Sequence, residues 1–278
     1  MIDQLPFLLW PFLGLLCIAS IHVYLGLHVV EREVIFVDLS LAQMAVLGAA
    51  IASLWGFEPE QPVTYVVAIG FTVIGATVFS LTRSERGRVP QEAIIGIVYA
   101  VASAATVLIL NNAPHGAEHI RDVLVGQLLA VEAHDVARLA VLYAAIGALH
   151  AWWRKRLLLI SHDPEVARAR GLNVKAWDFL FYVTFGLTVT ASVEIGGVLV
   201  VFSYLIVPSV TAVLFAEHVG TRLAIGWTVA VLASGLGMLA SVWLSAPPGA
   251  SVVCVFGALL VLAALVRPLV GQRAPSAG

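Results

Sequence analysis

Residues 176–216 read AWDFLFYVTFGLTVTASVEIGGVLVVFSYLIVPSVTAVLFA. Asp178 and Glu194 carry the only charges in this run. A helix crosses the ~30 Å hydrocarbon core of a bilayer with about 20 residues, so the run is about twice one span. Glu194, Gly196 and Gly197 are the natural break in it. Such a stretch predicts an all-α, polytopic integral membrane protein.

Working outward, the whole chain agrees. It has 278 residues, of which 60% are hydrophobic and 12% charged, with a mean hydropathy of +0.98. A soluble domain carries about 25% charged residues, so there are too few here to cover a surface facing water. The net charge of -2 leaves no basic surplus for nucleic acid. The apolar runs are unbroken, unlike the alternating strands of an outer-membrane barrel. They give the spans Pro6–Val30, Val34–Gly56, Pro62–Leu81, Ala93–Leu110, Ala137–Trp153, Ala176–Glu194, Gly196–Ala216, Leu223–Ser245 and Ala250–Val266. Eight to nine transmembrane helices are therefore expected. Residues 1–270 are expected to form one membrane domain and 271–278 a disordered tail. No cleavable leader is expected, because Met1 to Leu5 has no basic segment. Cys17 and Cys254 lie in apolar runs and are expected to pack in the core.

Lysine and arginine set the orientation. Of the fifteen, all but Arg121 and Arg138 fall on one set of alternate loops. The positive-inside rule makes that side cytoplasmic, with the N-terminus outside and the C-terminus inside. Trp55, Trp152, Trp153, Trp177 and Trp243 fall near span ends, as interfacial anchors should.

No nucleotide-binding loop, zinc-protease motif or nucleophile elbow occurs. Three features remain. In the largest basic-side loop, Asp163 can cap a short helix with Pro164 at its first position and Glu165 in its first turn, and Gly171 is placed to end it. This element is either a docking helix or a plain amphipathic connector. Second, Asp38, Glu194, His22, His28 and His150 lie at membrane depth, where ionisable groups face a cavity or a partner unless they reach an interface or serve as packing residues. Third, the outer loop Asn111–Val136 holds His115 and His119 among carboxylates. It is either a metal-capturing segment or a solvated loop.

The stretch Ser161-His-Asp-Pro-Glu-Val-Ala-Arg-Ala-Arg-Gly-Leu172 resembles the S-x-D-P-E-x-A-x-A-x-G-L loop of the permease subunits of zinc and manganese ABC importers. Glu92-Ala-Ile-Ile-Gly-Ile-Val-Tyr99, Asp122-Val-Leu-Val-Gly-Gln-Leu-Leu129, Ile195-Gly-Gly-Val-Leu-Val-Val-Phe-Ser-Tyr-Leu-Ile-Val-Pro208 and the late Pro247, Pro248 and Gly249 resemble further segments of that family, in the same order. The resemblance implies a second permease copy, a cytoplasmic ATPase subunit that alone handles ATP, and an extracytoplasmic metal-binding protein. It implies no intrinsic cofactor, only a transported divalent metal such as zinc, manganese or iron(II). Asp163, Pro164, Glu165, Ala167 and Gly171 would form the ATPase coupling loop. The second span departs from the family's G-D-A-x-S-H: Gln43 stands at the His position, Leu39 at the Asp position, and Asp38 one residue earlier. Asp38, Gln43, His28 and Glu194 are the expected metal pathway, either as a rebuilt site for a divalent ion or as a path that handles a metal chelate in place of a bare ion, with His115 and His119 for external capture. The alternative is a stand-alone secondary transporter driven by a proton or sodium gradient, which would use Asp38, Glu194 or His28 as a proton relay.

Overall fold

In hydrocarbon a chain must satisfy its backbone hydrogen bonds internally, and the long apolar runs do so as helices. The computed structural model describes residues 5–58, 61–83, 89–111 and 126–271. Its helices are α1 (Leu5–Glu31), α2 (Val37–Leu54), α3 (Pro62–Thr82), α4 (Gln91–Leu110), α5 (Ala133–His162), α6 (Pro164–Ala169), α7 (Val174–Phe215), α8 (Val219–Leu244) and α9 (Pro248–Gly271). A 3-10 turn, Leu128–Ala130, precedes α5. The all-α membrane fold is as expected, with eight helices among the described residues long and apolar enough to cross a bilayer.

Local chemistry sets the boundaries. Pro62, Pro164 and Pro248 open α3, α6 and α9, where a missing N–H costs nothing. Glu33, at φ 56, closes the turn between α1 and α2, so α2 begins three residues after Val34. Glu132 and Asp135 form a capping box at the start of α5. That helix runs well past the expected Trp153, because Arg154, Lys155 and Arg156 are good helix formers that hydropathy alone reads as a stop. α1 is the central helix. Leu15, Ile18, Val23 and Leu25 are completely buried, and at Gly26 a Cβ would lie 2.0 Å from the Leu205 carbonyl oxygen, so only glycine lets the two backbones meet. Lipid-facing side chains such as Leu108, Val141 and Leu265 cover the outside. Trp55, Trp152 and Trp243 are exposed there, as anchors should be. Cys254 is exposed and Cys17 half-buried; the expected core packing fails for Cys254, whose helix face points outward.

α7 is the unusual element. Its 42 residues would reach about 63 Å if straight, twice the ~30 Å hydrocarbon core. Near its start, Asp178 accepts hydrogen bonds from Arg32 and Arg83. Just past its end, the Ala216 carbonyl accepts from Arg222, whose guanidinium also pairs with Glu31, the neighbour of Arg32. Both ends of α7 therefore lie at one end of the bundle. In between, Glu194 bonds Arg138 near the start of α5, whose far end at His162 meets Glu31. So α7 crosses the bundle, turns and returns. The turn is Gly197, at φ 73 and ψ 163, within the break read from the sequence. With α7 crossing twice, the eight helices make nine passages.

This conformation is essentially reserved for glycine. A side chain there costs about 1–3 kcal/mol of backbone strain. Gly197→Ala is expected to lower the thermal midpoint of the detergent-purified protein. Gly235→Ala, where a Cβ meets nothing within 4 Å, is expected to leave it unchanged or raise it slightly. Equal midpoints for the two variants would contradict the fold-back at Gly197.

Candidate functional site

The loop singled out in the sequence folds as the capped helix expected. The Asp163 carboxylate accepts the Val166 N–H at 2.9 Å, Pro164 takes the first position, and Glu165 lies exposed in the first turn. Ala167 is completely buried in a small cluster with Ile160 and Val174. Gly171 ends the element at φ 80, the left-handed region that favours glycine. Asp163, Pro164, Ala167 and Gly171 thus each have a local structural reason for their identity. Glu165 instead presents a charge to solvent.

Beneath this helix lies a buried polar cluster that sequence reasoning missed. Arg32, in the turn after α1, has a side chain 1% exposed and donates to Asp178 Oδ1 at 2.6 Å. Arg83, just past α3, donates to both oxygens of Asp178, at 2.7 and 2.8 Å, and Asp178 itself is wholly buried. The Arg32 Nε–H also donates to Ser161 Oγ at 2.8 Å, and Ser161 Oγ lies 2.8 Å from His28 Nδ1. The Arg32 guanidinium sits 4.0 Å from the Phe181 ring centroid, a cation–π contact. The partners of Arg32 stand 129 and 146 positions away, so spacing could not have revealed them. The signal was Asp178 itself, a carboxylate inside an apolar run.

His28 and His150 belong to the same neighbourhood. The Thr184 hydroxyl lies 2.7 Å from His150 Nε2 and within hydrogen-bond distance of the Leu180 and Phe181 carbonyls of its own helix. His150 Nδ1, His28 Nε2 and the Tyr24 hydroxyl are buried without a hydrogen-bond partner. Their rings gather around Tyr24, 4.8 Å from His28 and 5.7 Å from His150.

The other expected pathway residues do not join them. Asp38, in the first turn of α2, is 1% exposed, with Oδ1 unbonded. Phe36, two residues before it, donates its backbone N–H to Glu92 Oε1 at 3.0 Å. This brings a second carboxylate, whose Oε2 is also buried and unbonded, to the same corner. Gln43 is half-buried further along α2. Glu194 lies at the opposite end, paired with Arg138 at 2.9 Å. The two flank an open pocket of about 150 Å³ that Gln127, Asp135 and Ile195 help to line. His28 packs on Phe181, thirteen residues and so about 20 Å of helix from Glu194. The structure therefore does not gather Asp38, His28 and Glu194 into one site. Among the described residues no three His, Cys, Asp or Glu side chains form a metal-holding group. His115 and His119 lie outside the described residues.

The helical bundle and its folded-back helix define a multi-pass membrane protein, and comparison with known proteins adds its class, a transport protein. The pattern of the ABC 3 transport family matches residues 4–267, and the chain belongs to that family. It is 25% identical over 238 residues to the manganese transport system membrane protein MntC of Listeria monocytogenes, covering 83% of this chain and 84% of that one. It is 25% identical over 246 residues to the high-affinity zinc uptake system membrane protein ZnuB of Haemophilus influenzae, covering 87% and 91%. The solved structure of PsaBC from Streptococcus pneumoniae in complex with a Fab superposes with a TM-score of 0.78 at 22% identity, covering 94% of this chain and 93% of that one.

Removing one partner of a buried ion pair leaves an uncompensated charge, at about 3–5 kcal/mol. Asp178→Asn strands Arg32 and Arg83 together. It is expected to lower the yield of folded protein in detergent and its thermal midpoint. Glu194→Gln, which breaks a half-exposed pair, is expected to change neither measurably.

Proposed function

We propose that the chain is the membrane-spanning permease subunit of an ATP-driven importer for a divalent transition metal: manganese, zinc or iron(II). The observation that carries this reading is the capped helix Pro164–Ala169, held by Asp163 and Gly171 between two membrane passages at the arginine-rich end. A short rigid element there suits docking into a cytoplasmic ATPase subunit. The chain itself hydrolyses nothing, and ATP is bound and split in that partner. Two permease copies enclose one pathway, and an extracytoplasmic binding protein delivers the ion. No intrinsic cofactor is required. The names of the relatives and the carboxylates at both ends of the bundle support a cation as cargo. The excess of arginine and lysine at one end supports that end as the cytoplasmic one, with the N-terminus outside and the C-terminus inside. On this reading the ion enters past Glu194 and leaves past Gln43 and Asp38. Oxygen donors such as these suit hard and borderline ions.

Asp163 supplies the test. Lysine at that position removes the cap and sets a positive charge against the helix dipole. Asp163→Lys is expected to abolish metal uptake with membrane insertion intact. Asp163→Asn, which keeps an acceptor for the Val166 N–H, is expected to retain uptake. Uptake that survives Asp163→Lys would remove the docking role from this loop.

A further inference from the structure

The capped helix is a six-residue element held from both sides by one side chain. Ser161 lies three residues before it, at the end of α5, and Asp178 nine residues after it, near the start of α7. Arg32 bonds both, through Nε to Ser161 and Nη1 to Asp178. Arg32 itself sits in the turn that joins α1 to α2, and the same Asp178 carboxylate fastens Arg83 at the end of α3. Within the element, Ala167 supplies the buried contact to Ile160 and Val174, so α6, the end of α5 and the start of α7 form one block. A displacement of that block must either carry Arg32 with it or break hydrogen bonds that water cannot replace, since the Arg32 side chain is 1% exposed.

We propose that Arg32 is the positioning residue through which movement of the helix Pro164–Ala169 is passed to the α1–α2 junction and to α3. The inference rests on the reading of that helix as the ATPase dock. The planar guanidinium is required because its fork reaches a hydroxyl and a carboxylate at once. A lysine ammonium is a point donor and keeps at most one of the two in line. The His28 contact to Ser161 belongs to the same linkage and carries it one turn further up α1.

The test uses the full complex of permease, ATPase and binding protein in proteoliposomes. Three quantities are read: co-purification of the ATPase, ATP hydrolysis, and uptake of radioactive manganese(II) or zinc(II). Arg32→Lys keeps a cation against Asp178 and is expected to leave assembly and hydrolysis within about twofold. Ions moved per ATP should fall about tenfold, within the usual range of coupling energies. Ser161→Ala leaves the Arg32–Asp178 pair intact and is expected to lower the same ratio, by less. Uptake and hydrolysis that fall together in either variant, with the ratio unchanged, would make the cluster a structural brace and overturn the proposal. An unchanged ratio at full activity would do the same. A wild-type chain that fails to retain the ATPase would instead remove the docking reading, and this proposal with it.

Discussion

One buried carboxylate, Asp178, holds the arginine-rich end of the protein together. It accepts hydrogen bonds from Arg32 and Arg83, so the turn after α1, the end of α3 and the start of α7 meet at a single point. Neither arginine is tolerable there alone, because a buried unpaired charge costs several kcal/mol. The position of the short capped helix follows from this junction, since α6 is threaded between Ser161 and Asp178, and both are tied to Arg32. The fold-back of α7 follows from the opposite end. Asp178 pins its start and Arg222 its finish near the same pair, Glu31 and Arg32, so the helix has to reverse, and Gly197 supplies a backbone conformation that permits it.

Much of this was legible in the sequence because membranes impose length and polarity rules that act locally. The apolar runs set the helices, the lopsided arginines sort the loops, and the glycine pair beside Glu194 marks the break in α7. The capped helix was legible for the same reason, since a cap, an N-terminal proline and a terminating glycine act within a few residues. The ends of α5 were not, because charged helix formers extend a helix beyond its apolar part. The outward face of Cys254 was not, because hydropathy cannot tell lipid from core. The cluster around Asp178 depends on contacts across more than a hundred positions, and no periodicity reports those. A lone carboxylate close to a span end reads as an interfacial residue until its arginines are seen.

The expected metal pathway divides in the structure. Glu194 belongs to an outer pocket with Arg138 and Asp135. Asp38 lies beside Glu92 at the start of α2, near the other end. His28 is engaged with Ser161 and faces Tyr24, with Arg32 close by, surroundings that suit a linkage between helices better than a cation site.

On the proposed reading, this chain works only as one part of an ATP-driven assembly. Native mass spectrometry of the tagged protein, purified from its own membranes in mild detergent, tests it most directly. The expected result is a complex of paired permease chains with paired ATPase subunits, lost on Asp163→Lys. A solitary chain that takes up metal into vesicles on a proton gradient, with no ATPase present, would contradict it.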